Sequence, residues 1–179
     1  FGGGLFTDLM VHWLDVVHWF CEVETPTLAL SFGDWIHAKG HWETPDTVQT
    51  LLHYPGTDKR SLLQVHYEGT FSNAHRAAMT TFMGSEATLY VDRGRFEFIP
   101  ERGKTGAVTK VIANNPKSRG ADFYDQPDGE RLHLENWLDC IRTRKETTAP
   151  LKAGLSAALA AQLANMALRG KGMAMHAPT

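Results

Sequence analysis

FGGGLFTDLMVHWLDVVHWF, residues 1–20, opens the chain with a glycine run that leads into a strongly apolar segment. On a helix, Asp8 and His12 stand four residues apart and stack on one face, and Asp15 continues the same stripe. Nearly every other position is apolar (Leu9, Met10, Val11, Trp13, Leu14, Val16, Val17, Trp19, Phe20), which predicts a helix buried almost all round. A carboxylate and an imidazole in such a helix are costly unless they pair, or face a ligand or a wet cavity. The segment therefore combines a core helix with the polar groups of a site.

Working outward, 179 residues of which 42% are apolar suffice for one buried core. A formal charge of −2 supplies no attraction for nucleic acid or an anionic membrane, and acidic residues interrupt the short basic groups at Arg93/Arg95 and Arg142/Arg144/Lys145. No apolar run reaches the length of a membrane span, and no signal-peptide pattern is present, so a cytoplasmic protein is expected. Cys21 and Cys140 form no Cys-x-x-Cys pair and read as buried thiols near helix ends.

After Pro26, runs rich in branched and aromatic residues at 27–32, 47–54, 61–67, 77–82, 88–91 and 96–99 predict strands, separated by turn signals such as Pro55-Gly56-Thr57-Asp58 and Gly84-Ser85. Hairpin-length connections imply a mainly antiparallel sheet. Residues 102–129 dissolve into an irregular loop, broken only by a strand-like run at 108–113. Helical spacing returns at 133–144, through Leu134, Trp137, Leu138 and Ile141, and at 155–168, which is rich in alanine and ends at Gly170. Strands flanked by helices at both ends predict an α+β fold: an open, mainly antiparallel sheet with helices packed on one face.

Histidine ordinarily titrates near neutrality, so His12 could take a hydroxyl proton while hydride leaves the same carbon, with Asp8 orienting the ring or holding a second hydroxyl. From helix geometry alone, a structural Asp–His hydrogen bond accounts for the pair equally well. Asp15 fits a substrate ligand or a local backbone cap. Gly2, Gly3 and Gly4 lack the Gly-x-Gly-x-x-Gly spacing of a dinucleotide loop and read as close packing at the helix entry. His37 and His41, if extended, lie about 13 Å apart, too far for one metal ion, and Gly33, Gly40 and Pro45 argue against a helix there. No metal ligands are predicted. Trp35 and Trp42 nearby read as a hydrophobic cluster in preference to a sugar-stacking wall.

The series Gly2-Gly3-Gly4-x-x-x-Asp8-x-x-x-His12-x-x-Asp15 resembles the start of the C-terminal domain in the Gfo/Idh/MocA family of NAD(P)-dependent oxidoreductases. Residues 44–49 (Thr-Pro-Asp-Thr-Val-Gln) resemble a strand entry of that domain, and residues 84–91 its turn and strand. Residues 135–142 resemble its penultimate helix and residues 160–169 its last, so the likeness runs the length of the chain in order. It implies a glyceraldehyde-3-phosphate-dehydrogenase-like C-terminal domain, in which the residues matching Asp8 and His12 line a sugar or polyol site beside the nicotinamide.

The resemblance also implies an N-terminal Rossmann domain with a Glu-Lys-Pro lysine, and no lysine of this chain precedes a proline. Residues 1–179, opening at Phe1, are therefore expected to be one substrate-binding and oligomerisation domain of a longer two-domain enzyme. NAD or NADP would be bound mainly by the missing domain, and none of the cofactor-binding residues lies in this chain. A homo-oligomer formed through the outer face of the sheet is implied as well. Two alternatives stay open: NAD-assisted glycoside cleavage without net redox, and a non-catalytic carbohydrate-binding or assembly domain.

Overall fold

The computed structural model describes residues 2–58, 60–75, 77–92, 95–112, 129–172 and 175–176. They fall into two compact units, Phe1–His75 with Ala149–Thr179, and Arg76–Thr148. In the first, a π-helical turn, Phe6–Met10, runs directly into α1, Val11–Cys21, and three antiparallel strands follow: β1 Leu28–Asp34, β2 Thr47–Tyr54 and β3 Leu63–Thr70. The chain returns through α3, Leu151–Arg169, and the two-residue β8, Met175–His176, to give a sheet ordered β3-β2-β1-β8. The second unit is an antiparallel meander of β4 Met79–Met83, β5 Ala87–Asp92, β6 Arg95–Pro100 and β7 Thr109–Ile112, followed by α2, Gly129–Thr143. The α+β class and the antiparallel, open sheets agree with the strand periodicity. The strands divide between two four-stranded sheets, a partition that alternation within each strand does not encode. Most of the loop expected at 102–129 lies outside the described residues, and β8 is too short to leave a periodic trace.

Burial alternates along β1 and β2, so Ala29, Ser31, Val48, Thr50, Leu52 and Tyr54 face the helices. Ala157, Ala160, Ala161, Ala164 and Ala167 of α3 lie between that face and Leu5, Phe6, Met10 and Leu14. Alanine adds one methyl to the helix surface, so backbones approach closely, and any larger side chain along this line would overpack. The lone polar pair on the inner face is satisfied: Thr50 Oγ1 donates to the Leu30 carbonyl at 2.9 Å, so the Ser31 hydroxyl donates to Thr50 at 2.8 Å. The opposite face leaves Phe32 69% and Leu51 52% exposed.

Helix α1 is not buried all round. Its inner face is Leu14, Val17 and His18, continuing Phe6 and Met10 of the π turn, whereas Asp8, His12, Asp15, Trp19 and Phe20 are exposed. An α-helix this apolar has little preference for which side to bury, and one sheet with one partner helix covers only one side. Cys21 and Cys140 are half-buried free thiols, less enclosed than expected.

His18 joins three elements. Its Nε2 lies 2.8 Å from the Tyr54 hydroxyl on β2, and its Nδ1 2.7 Å from Ser156 Oγ on α3. Ser156 spends its own proton on the Glu24 carbonyl at 2.8 Å. Nδ1 must therefore carry the proton and donate to Ser156, leaving Nε2 to accept from Tyr54. Burial pushes the His18 pKa down from 6.5 to about 4, against the nearby Asp15 and Glu24 charges.

The β1–β2 connection is held by an acid. Buried Asp46 accepts the N–H groups of Ile36 at 2.9 Å, His37 at 2.8 Å and Ala38 at 2.7 Å, together with the Thr47 hydroxyl at 3.1 Å. Led by the Ile36 amide, these donors outweigh burial and hold the carboxyl at about 2. The Ala38 carbonyl then accepts from His41 and Trp42, closing a tight turn.

Two outcomes follow from these contacts. Because the folded pKa of His18 is lowered, its stabilisation is complete above pH 6.5 and is lost as pH falls toward 4, amounting to at most about 3 kcal/mol less what solvent screening removes. Urea midpoints measured across that window should fall, and His18→Gln should be less stable at pH 7 with a shallower acid slope. Asp46→Ala should speed amide exchange at Ile36, His37 and Ala38 by roughly tenfold or more, about one hydrogen bond's worth, with Asp46→Asn intermediate. Unchanged protection at those amides would mean that the turn holds itself.

Candidate active site

Asp8, in the π turn, and His12 and Asp15, in α1, project from one outward side of the helical segment, with Trp19 one turn further on. None of the three polar side chains makes a hydrogen bond or ion pair among the described residues. The Asp–His bond that helix geometry allows is therefore not made, and Asp15 caps no backbone group. The spacing is helical, yet Val11 N–H reaches back to the Phe6 carbonyl, the five-residue step of a π turn. Asp8 thus stands on the widened turn and His12 on the regular helix that follows.

The entry to this turn is built from glycine. Gly3 N–H donates to Thr7 Oγ1 at 2.7 Å, and a β-carbon on Gly3 would collide with Thr7 and with the Asn165 amide of α3. Gly4 adopts φ +65°, and a β-carbon there would lie 2.7 Å from Thr44. Two of the three glycines thus serve close packing, as their spacing suggests, and Gly2 meets no side chain. Their approach is occupied by Asn165, Thr7 and Thr44, so the run does not fit a dinucleotide's phosphates.

Sequence reasoning passed over Tyr67. Its ring packs against Phe6, with centroids 6.2 Å apart, and leans over Gly69, where a β-carbon would stand 2.5 Å from the phenol oxygen. Burial, with the Asp8 charge adding to it, pushes the Tyr67 pKa up to about 12. A neutral phenol therefore sits within the field of Asp8. The signal in the sequence is the Tyr-x-Gly step on one strand face, which is weak by itself.

His37 and His41 lie on a bend and turn between β1 and β2, not on an extended segment. The turn at Ala38 brings both to one hollow with Trp42, Phe71 and Ser72. Trp35 donates its indole N–H to the Trp42 carbonyl at 3.0 Å, and Trp42 meets Phe71 edge to face with centroids 5.6 Å apart. No cluster of three or more His, Cys, Asp or Glu side chains suited to a metal ion occurs among the described residues. No helix among them is long and apolar enough to cross a membrane.

A family model described as the C-terminal alpha/beta domain of an oxidoreductase family matches residues 1–173. No curated protein matches the sequence. Among solved structures, an oxidoreductase from Pseudomonas syringae is similar at TM-score 0.68 and 14% identity, over 96% of this chain and 51% of that one. An aldose-aldose oxidoreductase from Caulobacter crescentus, complexed with glycerol, is similar at TM-score 0.68 and 16% identity, over 98% of this chain and 48% of that one. An inositol dehydrogenase homolog from Azotobacter vinelandii, complexed with NADH and myo-inositol, is similar at TM-score 0.62 and 14% identity, over 97% and 50%. At these identities the likeness is one of fold, and the chain spans about half the length of the structures it matches. With a family model matching nearly from end to end, and the glycine entry, outward polar stripe and helix-backed sheet in place, this chain belongs to the Gfo/Idh/MocA oxidoreductase family as its C-terminal alpha/beta domain.

Proposed function

We propose that this chain is the substrate-binding half of an NAD(P)-dependent dehydrogenase acting on a sugar, polyol or glycoside. The observation that carries the reading is the stripe Asp8, His12, Asp15: three polar side chains at helical spacing, exposed and without a hydrogen-bond or ion-pair partner among the described residues, on a segment whose other residues, Thr7 and His18 apart, are apolar. Packing makes no use of them, which leaves all three open to a ligand with several hydroxyls.

In this reading His12 takes the proton from the hydroxyl on the reacting carbon, acting as general base in oxidation and general acid in reduction. Asp8 stabilises the protonated ring or accepts a neighbouring hydroxyl, and the neutral Tyr67 phenol keeps the surroundings of Asp8 free of a second negative charge. Asp15 accepts a further hydroxyl. Hydride acceptance is the chemistry a nicotinamide cofactor supplies, and the glycine run of this chain offers it no phosphate site, so a dinucleotide-binding domain elsewhere in a cytoplasmic enzyme would hold it. The relatives crystallised with NADH and myo-inositol, or with glycerol, support that substrate class. The outer sheet face, where Leu30 pairs with Leu51 beside exposed Phe32, suits contact between subunits of a homo-oligomer.

The test uses the full-length gene product with NAD, NADP and a panel of polyols and aldoses, followed by nicotinamide absorbance. His12→Asn should lower kcat by roughly 10²–10⁴ with KM changed far less, and Asp8→Asn should lower it by a smaller factor. Wild-type turnover that persists in His12→Asn would remove His12 from the chemistry. Release of a free sugar from glycosides with no net reduced nicotinamide would replace dehydrogenation by redox-assisted cleavage.

A further inference from the structure

The loop between β1 and β2, with Phe71 and Ser72 after β3, builds a hollow whose lining includes none of Asp8, His12 and Asp15. Its volume is 320 Å³, within the range of small-ligand sites. Trp42 and Phe71 form one wall, their rings 85° apart and each about half exposed. The imidazoles of His37 and His41 are exposed at its margin, and each neutral ring offers one donor and one acceptor. Ser72 also lines it, although its hydroxyl oxygen is itself shut off from solvent and so out of reach of a ligand in this conformation.

Charge narrows the occupant. Among the lining residues the one permanent charge is Asp46, and its carboxylate is spent on three backbone N–H groups and the Thr47 hydroxyl. No lysine or arginine among the described residues lines the hollow, so it lacks the permanent positive charge that a phosphate or carboxylate site ordinarily carries. A flat aromatic face beside donors and acceptors complements a neutral ring with a C–H face and several hydroxyls. The walls are set beforehand: the Trp35 indole holds the Trp42 carbonyl at 3.0 Å, and Phe71 N–H holds the Asp46 carbonyl at 2.9 Å. A preformed wall spares a ligand the cost of ordering it.

We propose that this hollow is an accessory binding site for a neutral, pyranose-sized ring stacked on Trp42, with its hydroxyls met by His37 and His41. It stands apart from the reading of His12, and one set of variants separates the two.

Calorimetric titration of the full-length protein with methyl β-glucopyranoside and with glucose 6-phosphate is the experiment. The neutral glycoside should bind in preference to the phosphate. Trp42→Ala should weaken that binding by roughly tenfold or more, Trp42→Phe should retain most of it, and His12→Ala should leave it in place. Equal binding in natively folded Trp42→Ala, or a preference for the phosphate, would overturn the proposal. So would loss of binding in His12→Ala with retention in Trp42→Ala, which leaves a single sugar site at His12. So would burial of Trp42 by a second copy of the chain, read as a dimer that Trp42→Ala dissociates and the glycoside does not. Turnover unaffected in His12→Ala would remove the proposed chemistry without touching this site.

Discussion

The buried imidazole of His18 is the contact on which the first unit turns. It is the one polar group on the inner side of α1, and it can be satisfied only if Tyr54 from β2 and Ser156 from α3 arrive together. Directional bonds to two different elements fix the rotation of α1 in a way that apolar packing alone does not. Once His18 turns inward with Leu14 and Val17, Asp8, His12 and Asp15 lie off that buried face and point outward. The site thus inherits its orientation from a residue that takes no part in it.

The alanine line of α3 supplies the other half of the constraint. Methyl-sized contacts let α1 and the sheet close on α3 until Gly3 and Gly4 touch Asn165 and Thr44. The glycine run and the alanine run answer the same need, small volume where backbones meet, although they lie at opposite ends of the chain. Asp46 is the counterpart in the β1–β2 loop, where a carboxylate takes the place of a ladder by collecting three successive amides.

Much of the fold was legible before any coordinates. The segments read as strands at 47–54, 88–91 and 96–99, and as helices at 133–144 and 155–168, fall on β2, β5, β6, α2 and α3 with ends displaced by a few residues. Periodicity is a local property, and these elements form where it is strong. The site was legible in composition, since Asp8, His12 and Asp15 are conspicuous against an apolar helix. Its accessory parts were not. Tyr67 is one aromatic among many on strands, and His18 sits in the same apolar run as His12 with nothing in sequence to tell a structural imidazole from a chemical one. That distinction depends on Tyr54 and Ser156, 36 and 138 residues away.

The sequence by itself determined where the longer helices and strands lie, that three polar groups share one side of the first helix, and that small residues crowd its entry. These follow from covalent geometry and the pitch of a helix, which need no partner. Tertiary structure alone decided which side of that helix is buried, because an apolar helix packs only as many faces as there are neighbours to cover it. It also decided that the strands separate into two sheets, and that His37 and His41 line one hollow beside a turn pinned by Asp46. Each of those outcomes depends on contacts or bonds between residues distant in the chain, whose geometry no local pattern carries.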